Sequence, residues 1–148
     1  MISCVSKKMN KRTKAKEMYQ SPLFKHSLEY AERLNRDKIF ILSAHYGLLT
    51  LNTEIKPYDM TISNVSKKNR ERKPQLKVLT KDEKVIWGQK ILLELSNISD
   101  LKKDKFIVLA GLEYINSIIN FLVNIEQPLK GVGLFDRISY LKKLKDEI

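Results

Sequence analysis

Apolar residues occur along the chain in two arrangements, short continuous runs and runs spaced at helical period, and the two alternate. That alternation predicts strands separated by helices. Residues 2–5 (Ile-Ser-Cys-Val) read as a short strand, followed by a basic loop over 6–13. Ser21-Pro22 is a helix start, with serine as the cap and proline at the first helical position. Phe24, Leu28, Ala31 and Leu34 then fall on one helical face. A second buried strand spans 38–43. Residues 44–78 read as a long irregular stretch with a short helix near 63–70, and loops of that length are functional or mobile. Thr80 and Glu83 have the spacing of a capping box. They open a helix to about residue 97 with Trp87, Ile91 and Leu95 inward. A third buried strand covers 105–110 and ends at Gly111. A helix over 112–124 follows, with Ile115, Ile119 and Leu122 inward, then a short strand at 126–130. A closing helix near 134–146 aligns Leu134, Ile138, Leu141 and Leu144.

Apolar strands separated by helices imply an α/β protein with a mostly parallel sheet covered on both faces. The expectation is one three-layer α/β/α domain over residues 1–148 with right-handed crossovers. A length of 148 residues supports one core and not two. There is no internal repeat, low-complexity segment or Gly/Ser linker. No apolar run approaches the roughly 20 residues needed to span a bilayer. The first residues lack the apolar core and cleavage site of a signal peptide, so a cytoplasmic location is expected. Cys4 is the lone cysteine, which excludes an internal disulfide and any multi-cysteine metal site. With two histidines in the chain, neither a metal nor a cofactor is expected.

Charge changes the picture. The net charge is +11, which makes a polyanionic partner worth considering. The basic residues cluster. Lys7, Lys8, Lys11, Arg12, Lys14 and Lys16 occur with no acid among them, and Lys67, Lys68, Arg70, Arg72, Lys73 and Lys77 with only Glu71. Each run alone is equally well a solvated face. Together, beside candidate site segments, they favour nucleic acid, DNA ahead of RNA. Neither carries the apolar face of a membrane anchor.

In α/β proteins ligands bind outside the carboxyl ends of strands. The polar residues at those ends are therefore the candidates. They are Ser3, Cys4, Lys7 and Lys8 after the first strand, and Ser43, His45, Tyr46 and Gly47 after the second. Gly111 follows the third. No glycine spacing matches a Walker or dinucleotide-binding fingerprint. Tyr58 and Asp59 follow a rigid turn at Pro57. His45 is a candidate acid, base or phosphate donor, and equally a histidine satisfied in a loop. Asp59 is a candidate to direct a water or stabilise a cationic sugar, and equally a turn cap. Tyr46 and Tyr58 are candidates to stack on a base or to pack the long loop. Glu54 is a second carboxylate candidate, or plain surface. Cys4, Tyr19 and Phe24 read as core.

Several of these residues also carry a resemblance. Ile2-Ser-Cys-Val-Ser-Lys-Lys8, Met18-Tyr-Gln-Ser-Pro-Leu-Phe24, Ile41-Leu-Ser-Ala-His-Tyr-Gly-Leu-Leu49, Ile55-Lys-Pro-Tyr-Asp59 and Pro128-Leu-Lys-Gly-Val-Gly133 resemble a family of phage and bacterial domains of unknown function. The central Leu-Ser-x-x-Tyr-Gly-Leu-Leu followed by Pro-Tyr is similar to YaaA-type peroxide-stress proteins, which bind DNA. It is also similar to a domain found beside tRNA-guanine transglycosylase modules. The resemblance implies a uracil-DNA-glycosylase-like fold and an association with nucleic acid or modified bases. The chain departs from those glycosylases at two points. The first strand is followed by Ser6, Lys7 and Lys8 instead of a Gly-x-Asp-Pro-type loop, and no histidine follows His45.

The leading expectation is a nucleic-acid-acting protein that cleaves the N-glycosidic bond of a modified base. In it Asp59 and His45 are catalytic, and Ser3, Cys4, Lys7, Lys8, Ser43, Tyr46, Gly47, Tyr58 and Gly111 bind substrate. Lys11, Arg12, Lys67, Lys68, Arg70, Arg72 and Lys73 track phosphates. The alternatives are a non-enzymatic DNA- or RNA-binding or inhibitor module, and a small enzyme acting on a nucleotide or sugar-nucleotide.

Overall fold

Buried strand residues and cap chemistry set the frame, which a computed structural model describes for residues 1–148. In chain order the first elements are β1 (Ile2–Ser3), β2 (Thr13–Lys14), α1 (Ala15–Met18), α2 (Pro22–Arg33), β3 (Phe40–Ser43) and β4 (Gly47–Thr50). Then come β5 (Glu54–Ile55), β6 (Met60–Thr61), α3 (Lys67–Arg72), β7 (Lys77–Val78) and α4 (Lys81–Ser96). The last are β8 (Lys105–Ile107), α5 (Leu112–Asn116), β9 (Asn124–Glu126) and α6 (Arg137–Asp146), with single 3-10 turns at Ile119–Phe121 and Leu134–Asp136.

The architecture is mixed α/β with small sheets. β1 runs parallel to β3, with Ile2 opposite Ile41. β3 turns back into antiparallel β4, with Ser43 opposite Gly47. β8 and β9 are parallel, as are β6 and β7, whereas β2 and β5 are antiparallel. An isolated parallel bridge joins Ile2 to Leu109. There the Ser3 N–H donates to the Leu109 carbonyl at 3.1 Å, and the Leu109 N–H to that of Met1 at 2.8 Å. The core gathers around these pairings: Ile2, Ile41, Leu42 and Phe106 from the strands, Phe24, Ile91, Leu95 and Leu141 from the helices.

The predicted caps form. Ser21 Oγ accepts the Phe24 N–H at 3.1 Å. Thr80 Oγ1 accepts the Glu83 N–H at 3.2 Å while Glu83 accepts the Thr80 N–H at 3.0 Å, closing the capping box. α2 and α6 are held together by a buried lysine. Lys145 Nζ donates to His26 Nδ1 at 2.9 Å and also bonds Glu29, and Arg33 donates to the Lys145 carbonyl at 3.2 Å. Because a lysine ammonium has no acceptor, His26 meets it through an unprotonated nitrogen. Burial, then the charge of Lys145, keeps the His26 pKa below its ordinary value.

The structure corrects the sequence reading in three places. The short strand expected at 126–130 is Asn124–Glu126. Residues 44–78 are not irregular: they hold β4 to β7 and α3. Gly47, at φ +80, is what turns the chain back on β3, and glycine takes that conformation at no steric cost. The expected helix over 112–124 stops after Asn116. Ser117 Oγ turns back to the Glu113 carbonyl at 3.1 Å, and a 3-10 turn follows. The cause lies in packing on α4. A Cβ at Gly88 would sit 2.3 Å from the Ser117 carbonyl oxygen, so the chain crosses α4 where there is no side chain.

Gly88→Ala should therefore destabilise the fold by about 1–3 kcal/mol, the range for overpacking a filled core. The measurement is chemical denaturation. A midpoint equal to the parent's at unchanged slope would show that the crossing yields without cost.

Candidate functional site

Ser43 ends β3 and is completely buried. Its hydroxyl organises the turn that follows. Oγ accepts the backbone N–H of His45 at 3.3 Å and of Tyr46 at 3.0 Å. Its own proton goes to Tyr58 Oη at 2.8 Å. The Ser43 carbonyl accepts Trp87 Nε1–H at 2.9 Å, which ties the strand end to α4. Tyr58 Oη also shares a hydrogen bond of 2.7 Å with Tyr19 Oη. Burial pushes the pKa of both phenols well above the ordinary tyrosine value, so both stay protonated at neutral pH.

The rings of this group pack together. His45, exposed at the tip of the turn, stacks on Tyr58 with ring centres 5.3 Å apart and planes 29° apart. Tyr46 meets both edge-on, at 4.6 Å from His45 and 5.5 Å from Tyr58. The Tyr46 hydroxyl is committed to backbone: it donates to the Lys56 carbonyl at 3.2 Å and accepts the Lys56 N–H at 3.0 Å. That pins the β3–β4 turn to the segment carrying Pro57 and Tyr58. Lys8 Nζ lies 4.4 Å from the Tyr58 ring centre and 5.9 Å from that of Tyr19, within cation–π range. Burial lowers the Lys8 pKa first; the neighbouring Cys4 and Asp59 raise it and the charge of Lys73 lowers it. Lys73 follows the C-terminal end of α3, and its charge is felt at Lys8.

The remaining candidates fall in several places. The Asp59 side chain is exposed and makes no ion pair or hydrogen bond with His45; its carbonyl accepts the Lys77 N–H at 2.8 Å. Cys4 is buried behind the group, with Sγ 3.1 Å from Tyr114 Oη. Gly47 enters through its backbone, since a Cβ there would lie 2.7 Å from Glu94 Oε1. Ser3 and Gly111 line a separate cavity of about 20 Å³ with Arg137. Lys7, Lys11 and Arg12 are exposed, and Arg12 pairs with Glu54 at 3.5 Å. Lys67, Lys68, Arg70 and Arg72 are exposed along α3, which buries no residue, and Lys73 beyond it is exposed too. A cleft of about 640 Å³ lies at the opposite, amino ends of β3 and β8, between Leu34, Ile39, Phe40 and Lys105. It contains none of the candidates.

Sequence reading missed Tyr19 and Trp87 as partners of the site and treated both as core. They are buried, but each spends its polar atom on this group. The signal was chemical: a buried tyrosine or tryptophan needs a hydrogen-bond partner. No cluster of His, Cys, Asp or Glu is placed to hold a metal ion.

The site is thus an aromatic and basic surface on a mixed α/β domain. Residues 1–143 match the model of a family of unknown function (DUF6884), and the chain belongs to that family. No curated protein matches the chain. No helix is long and apolar enough to cross a membrane.

Ser43→Ala removes the acceptor of two backbone N–H groups and the donor to Tyr58. It should cost about 1–3 kcal/mol, the penalty of leaving buried polar groups unpaired. Denaturation reads the loss, and proton exchange at the His45 and Tyr46 amides should accelerate. Exchange at the parental rate would mean the turn does not depend on Ser43.

Proposed function

We propose that this chain acts on nucleic acid, DNA ahead of RNA, at the surface formed by His45, Tyr58, Lys8 and the basic helix α3. The observation that carries the reading is the exposed His45 ring backed by Tyr58, with Lys8 over the same tyrosine and Lys73 near by. A base stacks on an aromatic platform, and flanking cations take the phosphates. With Tyr58 covered by its neighbours, His45 is the ring that offers a free face. α3 supplies four further cations, Lys67, Lys68, Arg70 and Arg72.

The fold reading that goes with this joins β9, β8, β1, β3 and β4 into one mostly parallel sheet between helical layers, in the manner of uracil-DNA glycosylases. The parallel pairs and the Ile2–Leu109 bridge support it. A cytoplasmic protein fits the same reading.

Reversing Lys67, Lys68, Arg70 and Arg72 to glutamate should abolish salt-sensitive binding of single- and double-stranded oligonucleotides. Affinity that survives the reversal would remove α3 from the interface. A second reading, cleavage of the N-glycosidic bond of a modified base, is favoured by the Asp59 carboxylate. It is exposed, free of any ion pair, and next to Tyr58. Asp59→Asn should then abolish base release from modified DNA and leave affinity unchanged. Release at the parental rate would take Asp59 out of the chemistry.

A further inference from the structure

Ser43 Oγ accepts the N–H groups of His45 and Tyr46, so both of its acceptor positions are filled. It meets Tyr58 as a donor. Tyr19 is 1% exposed, and its hydroxyl has Tyr58 Oη as its hydrogen-bond partner. Either hydroxyl of this pair can be the donor; with Tyr19 buried and Tyr58 half-buried, the arrangement that leaves no fully buried proton without an acceptor has Tyr19 donating to Tyr58. The Tyr58 oxygen then accepts two hydrogen bonds and keeps a proton for which the protein supplies no acceptor. Accepting two bonds polarises that O–H and strengthens it as a donor. Of the two residues, Tyr58 is half-buried and Tyr19 is buried.

Lys8 is unspent in the same way. Its single hydrogen bond is a long one, 3.4 Å to the Ser6 carbonyl, and no carboxylate lies within ion-pair distance. By contrast the buried Lys145 and the half-buried Lys84 are each engaged by a carboxylate, Glu29 and Glu113. The charged groups acting on Lys8 include Lys73 and Asp59. With no carboxylate paired to it, the Lys8 ammonium keeps its positive charge open to a ligand. A cationic ligand is therefore disfavoured, and one that only accepts hydrogen bonds and carries negative charge is favoured.

We propose that Tyr58 and Lys8 form an oxyanion site that takes a phosphoryl oxygen, Tyr58 through its uncommitted hydroxyl proton and Lys8 through its ammonium. The site deepens the nucleic-acid reading by assigning phosphate, not base, to this end of the surface. It rests on that reading only for the source of the phosphate.

The test titrates the full chain with inorganic phosphate and, separately, with a 5′-phosphorylated oligothymidylate, by calorimetry and amide chemical shifts. Tyr58→Phe keeps the ring and the stack but removes the proton, and should weaken phosphate binding about tenfold, the worth of one charge-assisted hydrogen bond. Tyr19→Phe should leave affinity within about twofold, because the Tyr58 proton already points away from it. A purely structural role for the pair would weaken both variants alike. Lys8→Met leaves the hydroxyl network intact and should also weaken binding about tenfold, which keeps the test decisive if Tyr58→Phe folds poorly. The proposal is overturned if the parent does not bind phosphate, if Tyr58→Phe or Lys8→Met binds it as the parent does, or if Tyr19→Phe loses as much as Tyr58→Phe. Phosphate binding that depends on Tyr58, with an oligonucleotide bound no better than phosphate, upholds the oxyanion site and rejects nucleic acid as its source. An oligonucleotide bound equally by parent and Tyr58→Phe does the reverse.

Discussion

The buried hydroxyl of Ser43 is the interaction on which the site depends. It sits where a strand must end and a turn must begin, and it serves both. Two backbone amides that would otherwise be stranded inside the turn find their acceptor in Oγ, and its proton fixes the position of Tyr58. The strand supplies burial, the turn supplies donors, and a residue from a segment 15 positions later is placed by the same atom. Threonine could offer the same hydroxyl, but its extra methyl would need room beside a completely buried Cβ. Alanine could offer the volume without the chemistry.

Part of this was legible in the sequence. Continuous apolar runs marked β3 and β8, because a strand buried on both faces cannot alternate. Ser21-Pro22 and Thr80/Glu83 marked helix starts, because capping is local chemistry. The polar cluster Ser43, His45, Tyr46 and the pair Tyr58-Asp59 stood out as a place where a strand runs into reactive side chains. The convergence of Ser43, His45, Tyr46 and Tyr58 on one group could be anticipated only in outline, since the bond from Tyr58 to Tyr19 joins segments 39 residues apart, and Asp59 stays outside the group.

What could not be read was set by packing between distant elements. The apolar spacing does not show that the helix ends after Asn116, where Ser117 bonds back to the Glu113 carbonyl and lies against Gly88. Nothing in the spacing of residues 44–78 announces four short strands, because β5, β6 and β7 have two residues each and β4 has four, too few to carry a period. Ser3 and Gly111 follow strand ends, as the aromatic group does, yet they open on another cavity with Arg137. Strand order alone does not say on which side of an edge a side chain emerges. The cleft of about 640 Å³ shows the same limit: it lies at the amino ends of the strands, away from every residue chosen for its chemistry.

The parallel pairing of β1 has a consequence for how the chain reaches its native state. Ile2 is held between residue 41 on one side and residue 109 on the other. The first of these contacts closes early, as the β3 segment appears. The second spans most of the chain, and long-range parallel contacts are slow to form. While the chain is being synthesised, everything up to Leu109 must emerge before the outer edge of β1 is covered. Until then a row of unpaired backbone groups stays open to another chain. The basic loop directly after β1, with Lys7, Lys8 and Lys11, places like charges beside that open edge and opposes its pairing with a second nascent copy.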